Sequence, residues 1–384
     1  MLQATTRPPI CAGGPAAAVL LRAVALEHCP RMPAGFAFLL LPFSWLYAGV
    51  LAVRNWLYDR GWKHSEAFAV PLVGVGNLRV GGTGKTPHVI WLLEELLRQG
   101  HRPAVLSRGY GRRTRGPRLA GPLDSAATVG DEPWQYFEQF GPRGVPVAVA
   151  EARRLGVELL LQAHPETTVV VLDDAYQHRA VRPALNVLLT EWARPFYADH
   201  VLPAGRLRES RVGARRADII IATKCPPGAP AAACAAVAQR IRCYARPGAP
   251  VLFSSYEYGP PQALAEAAGP PAPAGSALLL TGIAQPGPLR QHLEGLGYEV
   301  VFHADFPDHH AFVPADLAAL REHWRPGWPI FTTTKDAARL ADPALAAALA
   351  GLPLYTIAVR AALGPRDAAL LRARLPAPPG PRAA

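Results

Sequence analysis

Residues 33–53 carry no charged side chain: PAGFAFLLLPFSWLYAGVLAV, 21 residues interrupted by Pro42 and Gly49. A run of that length is just long enough to span a bilayer. The next ten residues, RNWLYDRGWK, interleave aromatics with charges. Trp45, Tyr47, Trp56, Tyr58 and Trp62 read as a belt at a lipid–water boundary. Three placements are open for residues 33–62: a helix in or dipping into a membrane surface, a true span, or a helix buried in a protein core. We expect a membrane-associated helix. A secretory signal fits poorly, because no small-residue cleavage site follows the run. Residues 1–32 are Ala/Pro/Gly-rich without periodicity, and are expected to be a disordered extension.

From residue 69 the pattern becomes short continuous apolar runs alternating with helical periods. AVPLVGVG reads as a buried strand, TPHVIWLLEELLRQG as a helix closed by Gly100, and PAVLS as the next strand. PVAVA, the helix EARRLGVELLLQA, TVVVLDD, LNVLLTE and DIIIATK continue the alternation. Such a chain predicts a parallel sheet with helices on both faces. A Pro/Ala/Gly-rich linker is expected at 259–275. A second α/β series follows, through SALLLTGIA, PLRQHLEGLG, YEVVF, PADLAALREHW, PIFTTTK and PLYTIAV. The reading is therefore α/β, with a core lobe over 63–258, a smaller lobe over 276–371 and a disordered tail at 372–384.

Half of the 384 residues are hydrophobic and 18% are charged, which excludes global disorder. The net charge is +11, yet only Lys63, Lys85, Lys224 and Lys335 are lysine among 40 basic residues. Lysine retained in so arginine-rich a chain marks places where a compact ammonium is needed. Five cysteines (Cys11, Cys29, Cys225, Cys234, Cys243) are an odd number without C-x-x-C spacing. That argues against a disulfide framework or a zinc ribbon and fits a reducing compartment.

The chemistry concentrates in a few places. Gly81-Gly82-Thr83-Gly84-Lys85-Thr86 lies between a buried strand and an amphipathic helix, where backbone N–H groups and the helix dipole cradle phosphate. Lys85 is expected on the β- and γ-phosphates and Thr86 on Mg²⁺. The strict phosphate-loop pattern has Gly where this chain has Arg79, so Arg79-Val80 open a variant loop. Val169–Leu172 is followed by Asp173-Asp174, either a turn pair or a metal-holding pair at a strand end; the loop favours the second. The guanine signature N-K-x-D is missing at both Lys224 and Lys335, so ATP is expected rather than GTP. Asp131 in GDEP is either a helix cap or a proton acceptor, and Asp308-His309-His310 supplies imidazoles on a loop. Arg108, Arg112, Arg113, Arg115 and Arg118 form one basic cluster, and Arg206, Arg208, Arg211, Arg215 and Arg216 another. They suit a solvated face, an anionic substrate or lipid headgroups. Without an aromatic platform or a DNA-binding motif, nucleic acid is not expected.

VGVGNLRVGGTGKTP, LSRGYGRR, VGDEP, VVLDDAYQHRAV, LPAGRLRES, ADIIIATK, LTGIAQP, FPDHHAF and TTTKDAARL together resemble the tetraacyldisaccharide 4′-kinases of lipid A biosynthesis. They stand in that family's order across roughly residues 45–340. The resemblance implies a phosphate-loop core lobe, a smaller C-terminal lobe and an apolar N-terminal helix. It implies phosphoryl transfer from ATP, with Mg²⁺, to the 4′-hydroxyl of an acylated glucosamine disaccharide 1-phosphate at the cytoplasmic face of the bacterial inner membrane. No obligate protein partner is implied. Carried over by position, Asp131 resembles the catalytic base supported by His309. Lys85 and Arg206 join them in catalysis, and Thr86, Asp173, Asp174 and Glu132 are expected at the metal. Tyr110, Arg108, Gln177, His178 and Arg208 are expected on the substrate. Residues 1–32 have no counterpart in the family, and the doublet leaves open whether His309 or His310 faces the site. A membrane-associated P-loop ATPase that positions partners is the second reading. Such switches carry a lysine where this chain has Val80, and they need no carboxylate–imidazole base.

Overall fold

The computed structural model describes residues 34–264, 269 and 271–378, with side chains from residue 39 onward. The expected disordered extension over 1–32, part of the expected linker (265–268 and 270) and the end of the tail (379–384) lie outside the described residues.

The charge-free run forms α1 (Ala34–Asp59), which continues through Pro42. Among the described residues no helix is long and apolar enough to cross a membrane. Nor is α1 a core helix. Phe43, Trp45, Leu46, Val50 and Val53 are each about 60–70% exposed. Its other side is hydrogen-bonded to the body: Ser44 Oγ accepts from Ala204 N at 2.9 Å, and Arg54 Nη2 donates to Gln177 O at 3.0 Å.

The alternating series builds a nine-stranded sheet in the order β14-β8-β7-β6-β1-β5-β2-β4-β3. Its central strands are β1 (Leu72–Asn77), β2 (Pro103–Ser107), β4 (Val147–Val149), β5 (Val169–Leu172), β6 (Leu185–Glu191), β7 (Ile219–Thr223) and β8 (Val251–Tyr258). All neighbours among them are parallel. The short β3 (Arg118–Leu119) closes one edge antiparallel. Every residue of β1, β2, β5 and β7 is buried, as continuous apolar runs covered on both faces require. Successive side chains still part to opposite faces: Val73 and Val75 join the core under α2 (Lys85–Arg98) and α3 (Asp131–Phe140). Leu72 joins the core under α4 (Arg153–Ala163). Helix α5 (Ala231–Arg242) covers the β6–β7–β8 side.

A second sheet has the order β11-β10-β12-β13-β9. It comprises β9 (Gln262–Ala263), β10 (Gly275–Thr281), β11 (Tyr298–Asp305), β12 (Ile330–Thr333) and β13 (Leu354–Ile357). Helices α6 (Gly287–Gly295), α7 (Pro314–His323) and α8 (Thr334–Leu340) pack against it. The strand β9 falls within the stretch expected to be a linker and pairs antiparallel with β13.

The chain does not end in this lobe. After the single residue Ala358, β14 (Val359–Leu363) pairs antiparallel with β8 of the first sheet. Helix α9 (Pro365–Arg372) then docks on α2 through Arg372 Nε to Glu95 Oε2 at 2.9 Å. The smaller lobe expected over 276–371 therefore returns residues 359–371 to the first sheet, and the tail expected to be disordered from 372 begins as the end of this helix and buries Leu375 in the first core. PLYTIAV reads as one strand in sequence, and the break within it comes from tertiary pairing: Ala358 O accepts from Gly259 N at 2.9 Å, which fixes where the chain changes sheets.

Helix α4 lies so close to the sheet that a Cβ on Gly156 would stand 2.5 Å from Leu106 Cδ1 and 2.9 Å from Ala150 Cβ. On helix propensity alone Gly156→Ala would stabilise by about 1 kcal/mol. Overpacking opposes this with about 1–3 kcal/mol. We expect net destabilisation, read as a lower denaturant midpoint; a raised midpoint would mean that α4 can move away freely.

Candidate active site

Strand β1 lies between β5 and β6, the switch point at which open α/β sheets bind ligands beyond the strand ends. The chain leaves β1 and turns into α2 through Gly81 (φ 115°) and Gly84 (φ 85°), a conformation that glycine adopts without strain. At Gly84 a β-carbon would also collide with the Tyr256 hydroxyl. The carbonyls of the turn are tied down from the strand ends. Thr223 Oγ1 donates to Thr83 O at 2.9 Å, and the Lys224 ammonium donates to Gly82 O. Asn77 Nδ2 donates to Thr83 Oγ1 at 2.7 Å. The first-turn N–H groups of α2, which no helix can pair internally, are left to face a ligand.

On the neighbouring strand, β5 ends in two carboxylates with opposite environments. Asp174 (φ 48°) accepts both oxygens' bonds from Arg208 Nη1 at 2.9 Å, and Lys85 Nζ stands 3.6 Å away. Burial alone would raise its pKa, but Lys85 and Arg208 outweigh that and hold it at about 2. Asp173 is 3% exposed, and its Oδ1 has no hydrogen-bond partner. Burial, reinforced by Glu132, pushes it up to about 7. The Tyr136 hydroxyl beside Thr86 and Asp173 is likewise buried and unpartnered.

A third group comes from both lobes. Asp131 opens α3 and is half-buried. His309 Nδ1 lies 2.9 Å from its Oδ2, and Arg339 Nε lies 3.6 Å from the same oxygen. Burial raises the Asp131 pKa, but the His309 bond and the Arg339 and Lys335 charges overcome this and set it below the ordinary value. Its Oδ1 accepts no hydrogen bond among the described residues. His309 takes a left-handed φ of 64°, and the Tyr110 ring stands 5.5 Å from its own. His310 turns away to Asp316 Oδ2 at 2.8 Å and stacks on Phe306.

A candidate phosphate cradle, a buried carboxylate pair and a carboxylate–imidazole pair are linked through Glu132, which acts on Asp173 and lies 3.9 Å from Lys335. A sequence profile of the Tetraacyldisaccharide-1-P 4′-kinase family matches residues 36–376. The Tetraacyldisaccharide 4′-kinase of Cytophaga hutchinsonii is 43% identical over 303 residues, which cover 78% of this chain and 84% of that protein. That of Bacteroides thetaiotaomicron is 42% identical over 318 residues, 78% and 82% of the two chains. The crystal structure of LpxK from Aquifex aeolicus in complex with ATP matches with a TM-score of 0.69 at 28% identity, covering 88% of this chain and 98% of that one. The chain belongs to the tetraacyldisaccharide-1-phosphate 4′-kinase family.

The expected site residues of this kinase fall into three settings. Lys85, Thr86, Glu132, Asp173, Asp174 and Arg208 gather at the end of β5, and Asp131, His309 and Tyr110 gather at the start of α3. Tyr110, Arg108 and Arg206 are exposed, and Arg206 also gives its carbonyl to Val80 N at 2.8 Å. Arg79 lies elsewhere than expected. Its guanidinium is held by Asp199 Oδ2 at 2.7 Å and Glu191 Oε2 at 3.4 Å, so it braces the loop from behind. Gln177 donates to Asn77 O and Glu209 Oε1. His178 has its pKa lowered to about 4 by burial, then by Arg153 and Arg108. Sequence reasoning missed the roles of Lys224, Lys335, Arg339 and Tyr136. The scarcity of lysine pointed at the first two without saying what they touch.

Among the described residues no three His, Cys, Asp or Glu side chains converge as a metal cage. A Mg²⁺ held largely by phosphate oxygens and water needs fewer protein ligands. Asp173, its Oδ1 unpartnered and its pKa raised by burial and then by Glu132, fits such an ion. The unfolded chain releases this proton near 3.8, whereas the folded, metal-free protein keeps it to about pH 7. Asp173 therefore contributes stability at low pH that is lost as pH rises through about 7. A Mg²⁺ held by Asp173 would have to displace the same proton. With a non-hydrolysable ATP analogue present, Mg²⁺ binding at about pH 6 should release close to one more proton from wild type than from Asp173→Asn, and almost none extra at about pH 8. Calorimetry in two buffers of different ionisation enthalpy measures this; equal release at both pH values would remove Asp173 from the metal site.

Proposed function

We propose that this kinase transfers the γ-phosphoryl group of ATP to the 4′-hydroxyl of a tetraacylated glucosamine disaccharide 1-phosphate. The observation that carries the reading is the Asp131–His309 hydrogen bond, one residue from the Glu132 carboxylate that acts on Asp173 at the end of β5. The loop backbone and Lys85 hold the β- and γ-phosphates. Mg²⁺, held by Thr86 and Asp173 with Asp174 and Glu132 nearby, supplies charge neutralisation and orientation for the phosphates. The 4′-oxygen attacks the γ-phosphorus, the bond to the β-phosphate oxygen breaks and ADP leaves. The hydroxyl proton passes to Asp131 Oδ1, the carboxylate oxygen that accepts no hydrogen bond among the described residues. Asp173 and Asp174 are otherwise committed, one expected on the metal and the other held by Arg208 and Lys85. Arg206 and Arg108, exposed beside the cleft, suit an acceptor that already carries a phosphate.

The substrate's acyl chains give α1 its role. Its outward row of Phe43, Trp45, Leu46, Val50 and Val53 is too large an exposed apolar surface for a solvated helix. With Arg60 and Lys63 following at its end, it suits a helix seated in the cytoplasmic face of the bacterial inner membrane.

The direct test is incorporation of label from γ-labelled ATP into the disaccharide lipid, with Asp131→Ala beside wild type. Loss of a general base predicts a fall in kcat of at least about 10²-fold with ATP affinity retained. An unchanged chemical step with a lower melting temperature would make Asp131 a helix cap only. For the helix, Phe43→Glu with Leu46→Glu should abolish flotation with anionic vesicles while phosphorylation of a detergent-dispersed acceptor persists. Continued flotation would place the membrane contact elsewhere.

A further inference from the structure

Lys335, one of the chain's four lysines, opens α8 in the second lobe. Its ammonium lies 3.0 Å from Asp308 Oδ1, 3.2 Å from His309 Nε2 and 3.9 Å from Glu132 Oε1. His309 is thus gripped on both ring nitrogens, by a carboxylate on Nδ1 and an ammonium on Nε2. We propose that Lys335 is a positioning residue that fixes the tautomer of His309 and, through it, the free oxygen of Asp131.

The argument needs only the donor and acceptor inventory. An ammonium donates and cannot accept, while a carboxylate accepts and cannot donate. Nε2 must therefore be bare to receive the Lys335 proton, and Nδ1 must carry hydrogen to reach Asp131. The other neutral tautomer would turn its bare nitrogen to the carboxylate and its hydrogen to the ammonium, failing at both ends. The ring cannot turn away easily. His309 N donates to Gly282 O at 3.2 Å, Arg339 Nη2 holds Gly282 O at 2.9 Å, and Arg339 Nη1 holds His310 O at 2.9 Å. Across the cleft, Gln135 Nε2 donates to Thr334 Oγ1 next to Lys335.

The consequence concerns the path of the proton. Oδ2 of Asp131 is filled by the Nδ1–H bond, so Oδ1 is presented to the acceptor hydroxyl. With Nδ1 already protonated and Nε2 capped, His309 has no position that can take the proton onward. The pair is a positioned carboxylate and not a relay. The inference rests on the reading of Asp131 as the base.

The experiment uses the full chain in detergent, with single-turnover phosphorylation and ATP affinity measured side by side. Lys335→Met should lower the chemical step roughly 10- to 100-fold, as losing the partner of a functional imidazole does. ATP affinity should hold, and Lys335→Arg should recover part of the rate. In a His309→Ala background Lys335→Met should cost nothing further, because the two act as a unit. A merely structural lysine would instead lower stability and add its effect in both backgrounds. Nitrogen NMR of labelled histidine, with His309 assigned by its loss in His309→Gln, reads the tautomer in the wild type whether or not the variant folds. Hydrogen on Nδ1 supports the proposal; hydrogen on Nε2 overturns it, as does Lys335→Met at wild-type speed beside a slow Asp131→Ala. Wild-type speed in Asp131→Ala would sink the base reading itself.

Discussion

The hydrogen bond between His309 Nδ1 and Asp131 Oδ2, 2.9 Å long, crosses between two sheets that each have their own core. Asp131 is fixed by the first sheet, at the start of a helix whose Tyr136 and Phe140 are fully buried. His309 is fixed by the second, in a loop held through Gly282 and Arg339. Neither lobe alone contains the pair. Two crossings join the lobes, β8 to β9 and β13 to β14, and they are pinned side by side at Gly259 and Ala358. Small rotations at that double crossing therefore act directly on the distance between a carboxylate and its imidazole. Arg339 shows how finely the distance is poised: its Nε is buried without a hydrogen bond, 3.6 Å from the oxygen that His309 already occupies. An unpaired buried donor is unfavourable by about 1–3 kcal/mol, which favours any closure that brings the two groups together.

Opposed charge states in adjacent residues follow from the same concern with placement. Asp173 and Asp174 share a peptide bond, yet one is raised to about 7 and the other lowered to about 2. The left-handed backbone at Asp174 turns its side chain toward Lys85 and Arg208, while Asp173 stays in the dry interior beside Ser107. Among the described residues, three that are not glycine take positive φ: Asp174, Lys224 and His309. All three carry charge or an imidazole into this cleft. Backbone strain of that kind persists only where surrounding contacts over-determine it. At Lys224 those contacts are Gly82 O, Glu191 and, from the second lobe, Gln285 Oε1 at 2.7 Å.

Local sequence made the phosphate loop legible, because a Gly-rich turn between a strand and a helix has few other uses. The parallel sheet was legible for a similar reason: continuous apolar runs have to be covered twice. What depended on distant partners was not. Arg79 reads as a loop residue facing phosphate until Glu191 and Asp199, more than a hundred residues on, draw it behind the loop. The run PLYTIAV at 353–359 reads as one strand until Ala358 divides it between sheets. His309 and His310 are indistinguishable in sequence. The left-handed turn at His309 sends one ring to Asp131 and leaves the other to Asp316. Lysine scarcity flagged Lys224 and Lys335, but a composition signal carries no address.

The apolar helix and the phosphate-handling cluster are mechanically joined, and this bears on how a lipid acceptor would meet the nucleotide. Tyr47 Oη donates to the carbonyl of Arg208, the residue whose guanidinium holds Asp174. Arg54 donates to the carbonyl of Gln177, three residues past Asp174, and Asn55 donates to Glu209, the neighbour of Arg208. One side of α1 is thus fastened to the loops that shape the carboxylate pair, while the other side presents Phe43, Leu46 and Val50 outward. A soluble sugar kinase would gain nothing from coupling an exposed apolar helix to its metal-side carboxylates. On the proposed reading, with an acceptor whose acyl chains stay in a bilayer, the coupling would set the height of the site above the lipid surface. The 4′-hydroxyl can then arrive at Asp131 without the chains leaving the membrane. On this reading the site is referenced to two surfaces at once, the nucleotide through the loop and the lipid through α1, and Arg208 is the residue at which the two references meet.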